Sequence, residues 1–331
     1  MKRFWAVGLA VSLVFGLLVF PAVANVVWNA NSVWPLKNHH TIGLMEFAKK
    51  VKERTHGKLE IIVQPGGALG FKGPELLKAV RDGLVPLSDM LMSGVAGDEP
   101  IFGVSTLPFL FRSYKDSQLL SRKIGRPYFD KAARKWNQLI LYIAPWPFAG
   151  LWTKRPIRSV KDMKGLKTRT YDKNGALVVK YTGGTPHALP FSEVYSALAT
   201  GLVDSVITST PTAVDAKFWE VLKYFQRLNI EQAVDMVNVN LDAFNKLDKE
   251  TQKILIETGK EMEDIMWSRV QKIDREKEAV CIKHGMVSVP VSSKFIEELI
   301  KVTHRIRADW LKTAPPDAKK LYLQFMAAVG R

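Results

Sequence analysis

The sequence predicts an α/β protein built as two domains, and three observations lead there. Strand and helix patterns alternate along the first hundred residues. A proline-flanked aromatic segment, Pro145-Trp146-Pro147-Phe148, then breaks the pattern before a second α/β unit starts near Lys161. Finally, a helical pattern from Asp248 to His284 contains no proline. At 1.5 Å per residue it spans ~55 Å, wider than one small domain, so it is read as a helix bracing both. A chain of 331 residues is long enough for two cores.

The first strand is read at Val26-Val27-Trp28, running into a polar loop Asn29–Ser32. Pro35 is placed to open the next helix, in which Leu44, Phe47, Ala48 and Val51 share one face and Gly57 is the stop. Leu59–Val63 is the second strand, and the glycine-rich turn Pro65–Gly70 feeds a helix from near Pro74. That turn lacks both the Gly-Lys-Ser/Thr ending of a phosphate loop and the GxGxxG spacing. Asp89–Met92 is the third strand, with Ser93-Gly94 at its carboxyl end. Ligands of parallel α/β sheets sit beyond such ends, which makes Asn31 and Ser93 candidates.

Leu139–Ala144 is a further strand, and the prolines after it mark a crossover between domains. In the second unit a short strand ends at Arg169. Ser192 is read as the N-cap of a helix Glu193–Thr200, and Val203–Ile207 is a buried strand followed by Thr208-Ser209-Thr210 and a helix from Pro211. Gly259 offers a bend in the long helix. Ser292-Ser293 opens a helix Lys294–Trp310, and Pro315-Pro316 separates it from a last short one.

Lys2 and Arg3, the apolar run Phe4–Phe20 and Pro21-Ala22-Val23-Ala24 have the layout of a secretory signal peptide cleaved after Ala24. A retained anchor is the competing reading, since Phe4–Ala24 is just long enough to span a bilayer. With cleavage, the expectation is a soluble protein outside the cytoplasm, without stable membrane insertion. The lone cysteine, Cys281, permits no internal disulfide and sits in a helical pattern as a small hydrophobe. The net charge of +16 is spread along the chain with acidic residues interleaved and no basic run of five, so nucleic acid is not an expected partner.

No enzyme constellation is present. His39-His40 are adjacent and cannot act as HExxH, Cys-x-x-Cys is absent, and no Gly-x-Ser-x-Gly elbow occurs. Neither a cofactor nor a metal site is expected. Arg169 is the strongest single candidate, because a guanidinium matches a carboxylate in two parallel charge-assisted hydrogen bonds. The residues alone leave it open whether Arg169 does this or simply pairs with Asp162 or Asp172.

Lys164-Gly165-Leu166-Lys167-Thr168-Arg169, Pro190-Phe191-Ser192-Glu193-Val194-Tyr195-Ser196-Ala197-Leu198 and Gly201-Leu202-Val203-Asp204 occur in that order. Together they resemble the motifs of the DctP-type solute-binding proteins of TRAP transporters. Leu107-Pro108-Phe109-Leu110-Phe111 and Lys217-Phe218-Trp219-Glu220-Val221 look like the same family, and the resemblance runs from about Val26 to the C-terminus. It implies a two-lobed clamshell with crossover hinge strands and one long bracing helix. The expected lobes are 25–147 with about 236–275, and 148–235 with about 276–331. It also implies a periplasmic receptor, without enzymatic activity, that hands a carboxylate-bearing solute to membrane permease subunits. Arg169 falls on the family's carboxylate ligand and Phe191 on a residue that packs on the solute, with a buried staple as the competing role for Phe191. Asn31 falls on a polar residue at the mouth.

Departures from the family pattern narrow the expected solute. Members usually carry "GQEN" after the aspartate that matches Asp204, and here Thr208 takes the asparagine's place, with Ser209 beside it. A second arginine often precedes the piece Lys154-Arg155-Pro156-Ile157, where this chain has Trp146–Trp152. The expectation is a monocarboxylate with an apolar or aromatic body and Trp146 in the wall. A C4-dicarboxylate, an amino-acid-like solute whose amine meets Asp172, or a clamshell used for ligand sensing are the alternatives.

Overall fold

The computed structural model describes residues 25–331; the proposed signal peptide, residues 1–24, lies outside them. The chain folds as two α/β lobes around two sheets, joined by crossover segments and a long helix. The first lobe begins with β1 (Val26–Ser32), α1 (His39–Arg54), β2 (Leu59–Gln64), α2 (Leu76–Arg81) and β3 (Leu87–Leu91). It continues through α3 (Tyr114–Gln118) and α4 (Arg126–Lys135) to β4 (Gln138–Pro145). The second lobe holds β5 (Gly150–Thr153), α5 (Val160–Met163), β6 (Lys167–Thr170), α6 (Lys173–Tyr181) and β7 (Thr185–Ala188). To these it adds α7 (Val194–Ala199), β8 (Ser205–Thr208), α8 (Thr210–Asp215) and β9 (Tyr224–Gln226). The chain then returns through β10 (Val234–Asn240) and α9 (Leu241–Asn245) to α10 (Lys249–Lys283). After it come β11 (Val287–Ser288), α11 (Ser293–Thr313) and α12 (Pro316–Ala328).

The sheets run β2-β1-β3-β10-β4 and β11-β9-β5-β8-β6-β7. In each, parallel βαβ strands are joined by one strand inserted antiparallel: β10 between β3 and β4, and β5 between β8 and β9. These inserted strands belong to the two crossovers. The segments Trp146–Ala149 and Arg227–Ala233 are hydrogen-bonded to each other, Trp146 N to Ala233 O at 3.0 Å, Ala149 N to Glu231 O at 2.9 Å and Ile230 N to Ala149 O at 3.0 Å. A side chain at Gly150 would place its Cβ 2.5 Å from the Gln226 carbonyl, so only glycine allows this approach.

α10 is 35 residues long and starts at the Asp248 N-cap, whose carboxylate accepts from Thr251 N. Its first half lies on β4 and α1. Glu263, nearly buried, takes Arg126 Nη1 at 3.0 Å, Arg122 Nε at 2.9 Å and the Ile143 N–H at 2.8 Å. Asp274, further along, accepts from Thr210 and Arg227 on the second lobe's side and from Tyr114 on the first lobe's. Gly259 sits where α10 crosses β4. It lets α10 touch β4, since a Cβ there would lie 2.6 Å from the Leu141 carbonyl oxygen.

Several local expectations change. Asn29–Ser32 continue β1 instead of forming a loop, because they pair with β2 and, from Ala30 on, with β3. The N-cap of α1 is Asn38, not a residue next to Pro35, and its side chain accepts from His40 N at 2.8 Å. Phe191–Glu193 form a single 3-10 turn, and Ser192 caps nothing. The C-terminal helix also departs from the expected division. α12 packs its Ala318, Leu321 and Phe325 into the first lobe's core beside Phe102, Phe129 and Phe111, while α11 buries Phe295, Leu299 and Ile306 in the second lobe's core and sets Trp310 and Leu311 against the first's. No helix of the described residues is long and apolar enough to cross a membrane.

The contact at residue 259 gives a direct test. Gly259→Ala must push α10 off β4, and we expect it to destabilise the protein by about 1–3 kcal/mol in denaturant unfolding despite alanine's higher helix propensity.

Candidate functional site

Both lobes face a cleft, and the lobes are closed over it. Asn38 Nδ2 reaches Asp215 Oδ2 at 2.6 Å, Asn174 Nδ2 reaches Gly103 O and Thr106 Oγ1 at 2.9 and 3.0 Å, and Lys72 meets Glu193 at 3.2 Å. Between them lies a cavity with an empty volume of about 360 Å³, its mouth included. An adjoining compartment of about 630 Å³ shares Trp34, Leu91, Arg169, Tyr171 and Phe191 with it.

Arg169 stands at the carboxyl half of β6, between β7 and β8, where the pleat turns it into the cleft. It is 3% exposed. Nε and Nη2 both donate to the Leu189 carbonyl, at 3.0 and 2.8 Å, which locks the plane of the guanidinium. Nη1 has no protein partner, and among the described residues no carboxylate lies within 4.0 Å of the group. Burial brings its pKa down to about 10, against which Tyr171 and Asp172 act weakly, so it stays a cation at neutral pH. The two carboxylates that competed for it in the sequence are otherwise engaged. Asp162 closes a capping box with Ser159 on α5, and Asp172 caps α6 through Gly175 N at 2.8 Å.

Thr208 and Ser209 line the cavity where β8 passes into α8, and the Thr208 hydroxyl makes no hydrogen bond to the described residues. Phe191 lines it from the opposite side, 5.9 Å from the Trp34 ring, edge to face. Trp146 forms the floor in the first crossover, with Trp34 set against it at 4.7 Å and 71°. Thus Arg169, Thr208, Ser209, Phe191 and Trp146 converge on one space. Asn31, Ser93 and Asp172 do not line it. Asn31 is fully buried inside the first sheet, with Nδ2 3.4 Å from Ser88 Oγ. Ser93, with Thr106, faces Asp172 across the lobe boundary, below the cavity wall.

Two aromatic wall residues escaped the sequence reading. Trp34 follows β1, and its place beside Pro35 at a strand end was a usable signal. Tyr171 lies two residues after Arg169, on the same face of the chain by strand periodicity, with its ring 5.8 Å from the guanidinium carbon. Under the floor, the Nε1 groups of Trp34 and Trp146 donate to the two oxygens of Asp235, at 2.6 and 2.7 Å. Asp235, His40 and Asp89 form the one group of three metal-ligating side chains found together among the described residues.

The profile of the family described as Bacterial extracellular solute-binding protein, family 7 (DctP), matches residues 30–313. The chain belongs to this family. DctP proteins are solute-binding receptors, not a class of enzymes. Among solved structures, the chain is similar to the Bordetella pertussis extracytoplasmic solute receptor DctP7, which binds pyroglutamic acid. Identity is 29%, coverage is 90% of this chain and 99% of that one, and the TM-score is 0.87. It is similar to the same degree to a marine-metagenome TRAP solute-binding protein specific for pyroglutamate, at 29% identity, 92% and 99% coverage and TM-score 0.87. The 2,3-diketo-L-gulonate-binding periplasmic protein YiaO of Escherichia coli is 29% identical over 222 residues, 64% of this chain and 65% of that protein.

One buried acid near the cleft sets a pH test. Glu231, in the second crossover, has both carboxylate oxygens buried without a hydrogen-bond partner, and burial with the neighbouring Asp172 pushes its pKa well above 4.5. The unfolded chain ionises it near the ordinary value and the folded chain resists, so stability falls as pH rises from about 4.5 toward the raised value. Glu231→Gln is expected to flatten that fall and to be no less stable than the wild type at neutral pH, as read by thermal unfolding across this range.

Proposed function

We propose that this chain is the extracytoplasmic receptor of a TRAP-type transporter, and that it binds a compact monocarboxylate through Arg169 and delivers it to the membrane permease. The observation that carries this reading is the guanidinium itself. A cation buried to 3% exposure, anchored by a backbone carbonyl and lacking a counter-carboxylate, is a site for an anion supplied from outside. The free Nη1 edge, with the Thr208 hydroxyl nearby on the cavity wall, offers the donors that a carboxylate needs.

The rest of the wall describes the body of the acid. Trp34, Trp146, Phe191, Leu91 and Ala233 are apolar, and among the described residues Arg169 is the only charged side chain lining this cavity. A second carboxylate would be desolvated here without a partner, at a cost of several kcal/mol. A free amine would find no acidic group on the wall, since Asp172 is turned to its cap. The aromatic walls, with one cation among them, suit a small ring carrying one carboxylate. The similar structures that bind pyroglutamate, a five-membered lactam with one carboxylate, support the same class.

Binding should favour closure, because the acid would touch Arg169 and Thr208 of one lobe and Trp34 of the other only when the lobes meet. Isothermal titration with pyroglutamate, succinate, malate and glucuronate tests the reading. We expect binding of pyroglutamate or another ring monocarboxylate. Tight succinate or malate binding, with none of the ring acids, would overturn it. Arg169→Ala is expected to remove about 2–5 kcal/mol of binding free energy while leaving the unfolding midpoint within error or higher, since it removes a buried cation. Phe191→Ala should weaken a ring acid by roughly tenfold but acetate hardly at all, the loss of one ring face being about 1–2 kcal/mol.

A further inference from the structure

Under the aromatic floor, a second polar centre lies wholly inside the first lobe. His40 sits in the first turn of α1, Asp89 on β3 and Asp235 on the neighbouring antiparallel strand β10. All three are buried, at 2%, 1% and 0% exposure. We propose that His40, Asp89 and Asp235 bind a divalent first-row transition-metal ion that holds the aromatic floor of the cleft in place.

Charge is the first argument. Two carboxylates converge here, and among the described residues no lysine or arginine lies within 4.0 Å of either. Buried carboxylates of this kind must be neutralised, by a shared proton or by a cation such as a metal ion. Unused ligating capacity is the second. Both oxygens of Asp89 are buried without a hydrogen-bond partner, and the carboxylate points into the centre formed with His40 and Asp235. Geometry is the third. His40 Nδ1 is 3.5 Å from Asp235 Oδ2, and a ligand atom of each of the three residues lies within 4.8 Å of the others. Bonds of about 2.0–2.2 Å in a tetrahedral shell separate ligand atoms by about 3.4 Å. The imidazole–carboxylate pair is already at that spacing, and an Asp89 oxygen lies within 4.8 Å of both.

The surroundings resemble those of built metal sites. Each oxygen of Asp235 accepts one indole N–H, from Trp146 and from Trp34, which fixes the carboxylate and leaves a lone pair on each oxygen for a metal. The His40 ring is stacked on Trp146 at 4.4 Å, and its backbone N–H is tied to Asn38. One imidazole and two carboxylates with no sulfur donor suit Zn²⁺, Mn²⁺ or Fe²⁺ better than a soft ion. Every ligand belongs to one lobe, so the centre needs neither lobe closure nor the acid, and it stands or falls independently of the proposed solute.

The test uses the ligand-free chain. Purified without chelator, it is expected to retain about one equivalent of metal by elemental analysis. After unfolding with chelator and refolding, Zn²⁺ should restore one equivalent, raise the unfolding temperature and change the fluorescence of the indoles bonded to Asp235. Asp89→Asn should weaken Zn²⁺ at least a hundredfold, and Trp146→Phe, which removes one outer-shell donor, roughly ten- to a hundredfold. If Asp89→Asn does not fold, Trp146→Phe and the wild-type metal content decide. A wild type that holds no metal and gains no thermal stability from Zn²⁺ or Mn²⁺ overturns the proposal. So does Zn²⁺ binding that is equal in the wild type and in a folded Asp89→Asn, because the ion would then sit elsewhere.

Discussion

The arrangement turns on a positive charge held out of water. Arg169 is kept in place by the Leu189 carbonyl alone, an acceptor that fixes direction but supplies no net charge. A guanidinium in that position leaves the closed cleft electrically incomplete, and the surrounding architecture makes this tolerable. The short strand β6 is clamped between β7 and β8, Asp162 and Asp172 are diverted to helix caps, and the opposing wall is aromatic. In the proposed function, an anion entering the cleft would supply the missing charge. Selectivity among anions then passes to the apolar surfaces, which penalise any additional polar group left unpaired.

Those surfaces come from segments that also control lobe motion. Trp146 and Ala233 lie in the two crossovers, which are hydrogen-bonded to each other, and Asp274 on α10 touches Tyr114 of one lobe and Thr210 of the other. The cavity floor is therefore part of the hinge. A ligand bound as proposed would rest on Trp146 within this element, whose indole N–H is held by the buried Asp235 below.

Features written in local order were legible in the sequence. The Asp248 cap and the absence of proline gave the long helix to within a residue of its observed ends. The motifs around Lys164–Arg169 and Pro190–Leu198 and the departure from "GQEN" at Thr208 pointed to residues that line one cavity. Features made by residues distant in sequence were not. Polarity made Asn29–Ser32 look like a loop, although Asn31 and Ser32 are paired through their backbones inside a sheet whose partner strands lie about thirty to sixty residues away. Ser192 had the chemistry of a cap, but the proline before Phe191 starts a 3-10 turn that uses the position differently. Nothing local distinguishes Asp235, and its partners at positions 34, 40, 89 and 146 meet only once five strands have assembled.

The return of α12 to the first lobe bears on how the molecule is made. Leu321 and Phe325, within eleven residues of the C-terminus, fill the same core as Phe102 and Phe129. The lobe that is synthesised first is thus completed last, after the chain has visited the other lobe and come back. Neither half can be cut out as a contiguous piece, and no early fragment holds a finished core.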